Sequence, residues 1–451
     1  MDIRNYIYIP ACLYSMTGSM FLPVVQSMVY QKVCMLLSNE TGIYDCVNAV
    51  SAASKNQRIQ TEANRIVLTA SICICTTGVL TSRFIGSISD KKSRKISMLI
   101  PYVGLLIADV SLLLQALFFN SSPYLFPLSE LIFGCFGGYM GIISTSFAYL
   151  TSIPGVTMKE RSKSIARLEG ALGVGGILGF LISSQLRTIT YVNTYLFFIF
   201  VHVFCFCYIA QMKNHDVRTN RKSSADFKLF PSLLLSRVKL CEFRLLLCYI
   251  AFGASYFALI GSSHILFFYL KQRFYWDAEF YGYLRALTQF SSTVMALFVY
   301  PLCKSYAVRD GTLVLVGLAA RSLGRAWLAV AWNGASVFGV IPFEMFARFP
   351  ATGLRSLISN NVPPEERGSA FAIVAILEGG CKLVAAVFFH LLFPWSISFM
   401  PQLSFVVMAA LIVPPTILFW CYKNELEQNE DAVNEEETLN KSPSNEEINS
   451  P

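Results

Sequence analysis

The stretch Gly86-Ser87-Ile88-Ser89-Asp90-Lys91-Lys92-Ser93-Arg94-Lys95 ends one hydrophobic span and leads straight into another. A turn this short between two apolar segments reads as a helical hairpin at a membrane surface. Lys91, Lys92, Arg94 and Lys95 hold it on the cytosolic side by the positive-inside rule. Gly86 lets two helices approach closely, and Asp90 can either cap a helix N-terminus or pair across a helical bundle. The cations alone would make the turn a plain topological anchor; the Gly and the Asp ask for more.

Composition agrees with that reading. The chain is 54% hydrophobic and 14% charged, with a mean hydropathy of +0.52, too apolar for a soluble protein to cover with polar surface. Segments of hydrocarbon length, about 20 residues each, fall near residues 6–30, 65–88, 96–119, 124–152, 166–186, 191–211, 244–270, 280–303, 311–332, 334–360, 368–394 and 398–422. The expected fold is an all-α membrane protein of twelve transmembrane helices in two six-helix halves. No small-residue cleavage site follows the first span, so it is read as a retained helix.

Basic residues set the orientation. Besides the hairpin, Lys159, Arg161 and Lys163 lie between the fourth and fifth spans, and Lys213, Arg218, Arg221, Lys222, Lys228, Arg237 and Lys239 lie in the middle segment. All face one side, which makes that side and both termini cytosolic. The expected division is an N-terminal half (1–211), a cytosolic linker (212–243), a C-terminal half (244–423) and an acidic tail (424–451). The tail carries nine acidic residues against Lys441, and without it the body is +16 rather than +8. Low hydrophobicity and like charge predict a disordered tail. The basic linker reads as a solvated segment near anionic lipid rather than a nucleic-acid site.

The longest outer loop, residues 31–64, contains Asn39-Glu40-Thr41, a glycosylation acceptor. Asn120 lies against a helix end and Asn440 on the cytosolic side, so Asn39 is the candidate. Of 13 cysteines, only Cys34 and Cys46 reach the oxidising face, either as a loop disulfide or as two free thiols. No Cys/His spacing suits a metal, and no nucleophile elbow or phosphate-binding Gly loop is present, so neither an enzyme nor a cofactor is expected.

Charges at bilayer depth carry the functional information, since each costs about 2.5–3.5 kcal/mol at a helix centre on insertion scales. Glu169 opens the run Glu169-Gly170-Ala171-Leu172-Gly173-Val174-Gly175-Gly176-Ile177-Leu178-Gly179. Glu169, Gly173 and Gly176 share a face, placing a carboxylate above a groove another helix can enter. It reads as a protonatable gate, or as an acid satisfied by Arg161 or Arg167. Asp109 is the other buried acid of this half, with no nameable partner. The second half holds Arg285, Arg321, Arg325, Arg348, Arg355, Glu378 and Lys382. Glu378 and Lys382 at i and i+4 are either a mutual pair or functional. Arg321 and Arg325 repel unless an anion or carboxylate intervenes. So cationic an interior suits an anionic substrate, because guanidinium forks match carboxylates. His264, near an outer helix end, is a pH reporter or a plain interfacial residue.

The hairpin resembles that of the major facilitator superfamily, whose pattern is Gly, three residues, Asp, a basic residue, one residue, Gly, then further basic residues. Ser93 stands where the second Gly is usual. Within the superfamily the chain resembles solute carrier family 46, the proton-coupled folate transporter and its lysosomal relatives. The resemblance rests on Tyr269-Leu270, Trp276-Asp277 and Gly282-Tyr283, on Pro350-Ala351-Thr352-Gly353-Leu354-Arg355-Ser356-Leu357-Ile358-Ser359, and on Glu366-Arg367-Gly368-Ser369-Ala370-Phe371. It implies a secondary carrier, proton-coupled, moving small organic anions of folate or muramyl-peptide type, in the plasma or endolysosomal membrane. Arg355 lands on the family's substrate-region arginine, Glu169 on its fifth-span acid, and Glu378 on an acid of some members. Candidate substrate residues are thus Arg355, Arg321, Arg325 and Arg285, and candidate proton carriers Glu169, Glu378 and Asp109. Departures exist: Tyr275 replaces a Cys before Trp276, Ala258 stands at the folate-type His position, and Arg285 replaces a small residue. Ser93 and Arg285 also fit a receptor or scaffold that kept the fold and lost transport. Retention of both acids and Arg355, costly in a membrane, speaks for the carrier.

Overall fold

The computed structural model describes residues 7–41, 57–153, 156–183, 190–213, 241–274, 276, 278–362, 366–396 and 399–439. These residues form helices and short connections, with no strand among them. The N-terminal helices are α1 (Tyr8–Thr41), α2 (Gln57–Lys91), α3 (Arg94–Leu117), α4 (Leu125–Cys135), α5 (Gly138–Thr151), α6 (Met158–Ser183) and α7 (Tyr191–Gln211). The C-terminal helices are α8 (Cys241–Phe274), α9 (Ala278–Val294), α10 (Tyr300–Ser305), α11 (Asp310–Val330), α12 (Gly334–Val337), α13 (Ile341–Glu344), α14 (Phe349–Asn360), α15 (Arg367–Ser396) and α16 (Leu403–Leu439). A π-helical turn, Met295–Val299, joins α9 to α10.

Nine helical stretches among the described residues are long and apolar enough to cross a membrane. The expected spans at 6–30, 166–186 and 334–360 are not among them. The first follows α1. The second lies in α6, whose opening turns carry Lys159, Glu160, Arg161, Lys163, Arg167 and Glu169. The third is divided into α12–α14, with Pro342 and Pro350 opening two of the pieces, because proline cannot donate to the preceding turn. The expected 124–152 span is likewise two helices. Phe136 and Gly137 separate them, with Gly137 at φ +104° and Gly138, which opens α5, at φ +58°, and a Cβ on Gly137 would run into the Ile85 side chain.

Within the N-terminal group α1 packs on α6, α3 on α7, and α2 on α4; within the C-terminal group α8 packs on α15 and α16, and α11 on α16. The two groups meet where α2 and α5 lie against α15, and where α6 lies against α9, α10 and α14. The glycine face read in α6 makes the second of these contacts: Cβ atoms at Gly173 and Gly176 would meet Thr293 and Gln289. Residues 214–240, most of the proposed linker, lie outside the described set. At the C-terminus, α16 continues to Leu439, so the first part of the tail is helical where the sequence predicts disorder. Its Glu and Leu content suits a helix extended from an existing one, since elongation avoids the cost of nucleation.

Candidate functional site

Glu169 lies about three turns inside α6, and Glu378 about three turns inside α15. Arg355, buried on α14, bridges them: Nη1 donates to Glu169 and Nη2 to Glu378. Arg348, two turns earlier in the chain, donates Nη1 to Glu169 Oε2 at 3.3 Å and to the Glu169 carbonyl at 3.1 Å. The guanidinium of Arg355 sits 4.4 Å from the Phe147 ring centre and 5.2 Å from that of Phe252, within cation–π range. Glu169, Arg355 and Glu378 are each 6% exposed or less. The Nε atoms of Arg348 and Arg355 are buried without a hydrogen-bond partner, which leaves each guanidinium a free donor.

This geometry settles two open pairings. Glu169 is held by arginines of the C-terminal helices, whereas Arg161 donates to Asn360 Oδ1 at 2.9 Å. Glu378 pairs with Arg355 on α14, not with Lys382, whose Nζ lies 4.6 Å from the Tyr139 ring centre. Tertiary packing outcompetes the intrahelical pair because a guanidinium between two carboxylates leaves less buried charge uncompensated.

The other candidate arginines do not join this cluster. Arg325 pairs with Glu344 of α13, the carboxylate that relieves its repulsion with Arg321. Arg321 donates Nη1 to the Ser255 carbonyl at 2.7 Å and Nη2 to the Ala347 carbonyl. Arg285 is exposed on α9, within electrostatic reach of Glu344. Asp109 does have a partner: Oδ2 lies 2.5 Å from His202 Nδ1, and His202 Nε2 lies 2.8 Å from Thr17 Oγ1.

At one end of the bundle the two groups of helices are tied together by the hairpin. Asp90 both caps and pairs across the bundle. Its Oδ1 accepts the Gly368 N–H at 2.7 Å, and Oδ2 accepts the Ser369 N–H at 2.7 Å and the Ser369 hydroxyl at 2.6 Å, at the start of α15. Fully buried Arg94 donates to Asp90 Oδ1 at 2.6 Å and to Ser89 at 2.9 Å. A Cβ on Gly86 would lie 2.6 Å from Ala372 Cβ, so this crossing needs glycine. Ser93, the departure from the family pattern, is the N-cap of α3, accepting Ile96 N–H at 3.3 Å. Lys91 is exposed, and Lys95 donates to the Ala210 carbonyl at 2.9 Å, tying α3 to the end of α7.

A second tie between the two groups was not read from the sequence. Asp310, fully buried at the start of α11, accepts from Ser162 of α6 at 2.6 Å, Tyr300 at 2.7 Å and Ser356 at 2.6 Å, and Lys304 Nζ lies 3.3 Å away. Its signal is the turn Lys304-Ser305-Tyr306-Ala307-Val308-Arg309-Asp310-Gly311, which like the first hairpin joins two spans with cations and one Asp. Lys159 and Lys163 add bonds to Ser305 at 3.0 and 2.7 Å. On the opposite face, the backbone of Asn39 lies in the last turn of α1. Cys34 is disulfide-bonded, and Cys46 lies outside the described residues.

Comparison with known proteins places this arrangement. The model of the Major Facilitator Superfamily matches residues 7–386. The "lysosomal proton-coupled steroid conjugate and bile acid symporter SLC46A3" of Homo sapiens is 24% identical over 438 residues, covering 92% of this chain and 92% of that protein. The "proton-coupled folate transporter" of Rattus norvegicus is 24% identical over 356 residues, covering 76% and 75%. Among solved structures, the human organic anion transporter MFSD10 (TETRAN) superposes with a TM-score of 0.73 at 15% identity, over 92% of this chain and 98% of that one. The proton:xylose symporter XylE gives a TM-score of 0.62 at 14% identity, over 91% and 95%. With the hairpin, the ties between the two groups and the helix packing all in place, this chain belongs to the major facilitator superfamily, in which its similarity runs to solute carrier family 46.

Proposed function

We propose that this membrane carrier is a proton-coupled symporter of small organic anions, working by alternating access. The observation that carries the reading is Arg355, held by one carboxylate from each group of helices, Glu169 and Glu378. While both acids are ionised they occupy the two prongs of the guanidinium fork, the same prongs a substrate carboxylate or sulfate needs for bidentate recognition. A proton on Glu169 or Glu378 weakens its charge-assisted bond and frees a prong. Arg348 stays beside Glu169 and balances its charge while the substrate enters. Proton binding and anion binding are thus linked through one side chain, and the halves can part only when the bridge is neutralised.

The walls favour a flat, amphipathic anion. Phe147 and Phe252 flank the guanidinium, and Tyr139 and Tyr256 are half-buried nearby. Conjugated steroids, bile acids and folates each join an anionic group to a fused or aromatic ring system; the human relative is named for steroid conjugates and bile acids, and the rat relative for folate. A gradient of one pH unit supplies about 1.4 kcal/mol per proton, and about 2.3 kcal/mol accompanies each net charge per 100 mV. In this scheme Arg321, Arg325 and Arg285 shape the outer potential of the C-terminal helices. The two halves, 1–211 and 244–423, rock about the bridge, with both termini cytosolic.

The test is uptake of a labelled sulfated steroid, bile acid and folate by cells displaying the protein, at acidic and at neutral pH. Acid-stimulated uptake of at least one anion, lost in Arg355→Ala, is expected. Uptake with unchanged kinetics in Arg355→Ala would remove the clamp, and a correctly localised protein that moves none of the three would turn the search to other anions.

A further inference from the structure

A second titratable cluster lies within the N-terminal helices, away from the Arg355 bridge. Asp109 of α3 and His202 of α7 are 2% and 3% exposed, and Thr17 of α1 is 1% exposed. Thr17 Oγ1 lies 2.9 Å from the Tyr14 carbonyl, which can only accept, so the single hydroxyl proton has a place within its own helix. Its lone pair then accepts from His202 Nε2 at 2.8 Å. With Nε2 protonated, the 2.5 Å approach of Nδ1 to Asp109 Oδ2 requires a proton of its own, or two lone pairs would face each other. The pair therefore holds one proton more than a neutral imidazole beside a carboxylate, and it is neutral overall. Were Thr17 to donate to Nε2 instead, a net negative charge would sit buried at membrane depth with no cation in contact among the described residues, an arrangement the apolar interior disfavours.

Rings and thiols surround the pair. Tyr14 of α1 and Phe198 of α7 lie against the His202 ring, and Tyr195 of α7 lies within reach of Asp109; behind Tyr14, Tyr102 of α3, Cys205 of α7 and Cys12 of α1 form the next layer. One charged group lies within electrostatic reach of the pair, and a second lies beyond it. Glu130 of α4, itself buried, is coupled to Asp109 on one side and to Lys382 of α15 on the other, and Cys75 of α2 also feels it.

We propose that Asp109 and His202 form a second proton-binding site of the carrier, distinct from Glu169 and Glu378, which takes up and releases the Nε2 proton of His202: on release the Thr17 hydroxyl turns from the Tyr14 carbonyl to donate to Nε2, and the Nδ1–H···Oδ2 bond to Asp109 stays in place. The step breaks no covalent bond between heavy atoms: one proton leaves for water, and the pair goes from neutral to singly negative. Glu130 and Lys382 carry the resulting change in potential toward the α5–α15 contact, because Lys382 projects over Tyr139. The inference rests on the proton-coupled reading above, but its test reads the proton directly.

The experiment is nitrogen-15 NMR of the full chain in lipid nanodiscs, labelled at histidine and titrated from about pH 5 to about pH 8. The chain has four histidines, and the His202 signal is the one lost in His202→Gln. Wild-type His202 is expected to be protonated on both nitrogens at the acidic end and to lose one proton across the range. Asp109→Asn should lower the midpoint by about one to three pH units, since it removes the opposite charge. If Asp109→Asn does not fold, Thr17→Val serves: losing the acceptor for Nε2–H should also lower the midpoint. A His202 whose protonation never changes, or whose midpoint is the same in the variant, would make the pair a static tie between α3 and α7. Such a failure would leave the Arg355 result intact, and uptake insensitive to Arg355→Ala would leave the titration intact.

Discussion

Replacing Asp90 by Asn should shift the carrier away from the state closed at its inner face. Asp90 accepts three bonds from the other half, from Gly368 N, Ser369 N and Ser369 Oγ, and one from Arg94 in its own hairpin. The Arg94 bond can persist whether the halves are together or apart, so it largely cancels from the conformational equilibrium. Asn keeps one acceptor oxygen and turns an NH2 toward donors at the other position. Two charge-assisted bonds are lost at Oδ2, each worth about 1.5–3 kcal/mol. Even the lower sum, about 3 kcal/mol, is a shift of roughly 150-fold in the ratio of inner-closed to inner-open molecules. Pulsed EPR between spin labels introduced as unnatural amino acids at exposed Lys92 and Tyr306 would read that ratio as two distance populations. Ser369→Ala removes a single bond and should shift it about tenfold. An unchanged distance distribution in Asp90→Asn, or an equal shift in both variants, would refute the latch.

Other substitutions test the supports around it. Ser93→Ala should cost about 1 kcal/mol through loss of the α3 cap, seen as a lower melting temperature, with Ser93→Gly milder. Glu344→Gln leaves Arg325 buried without its carboxylate and should destabilise by about 3–5 kcal/mol, whereas removing both charges with Arg325→Met should recover much of the loss. Gly173→Val would push against Thr293 and Arg348 at the α6–α9 contact, so thermal stability and any measured uptake should fall together; stability held while uptake falls would show that the groove matters for motion more than for packing.

Much of this architecture is legible locally, because the bilayer enforces it: apolar spans must be helices and cations must stay on one face. Glu169, Asp109, Glu378 and Arg355 stand out for the same reason, as charges where charge is expensive. Their pairing is less legible. The partners of Arg355 come from helices of opposite halves, so no spacing along the chain announces them, and the local i, i+4 signal pointed Glu378 to Lys382. His202 and Glu344 each look like one more polar residue in an apolar run until the fold brings a partner alongside. Asp310 was readable in principle, since its turn repeats the elements of the Asp90 hairpin. Ser93, read as a defect in a glycine position, is instead a cap, a role visible only once the helix start is known.

In the proposed mechanism a proton on Glu169 or Glu378 frees Arg355 to hold an anion. Equilibrium binding of the transported anion to purified protein in nanodiscs, compared at neutral and acidic pH for wild type, Glu169→Gln and Glu378→Gln, tests it most directly. At least one Gln variant should bind at neutral pH as tightly as wild type does at acidic pH, and lose its pH dependence. Binding that stays weak at neutral pH and still strengthens with acid in both variants would rule that mechanism out.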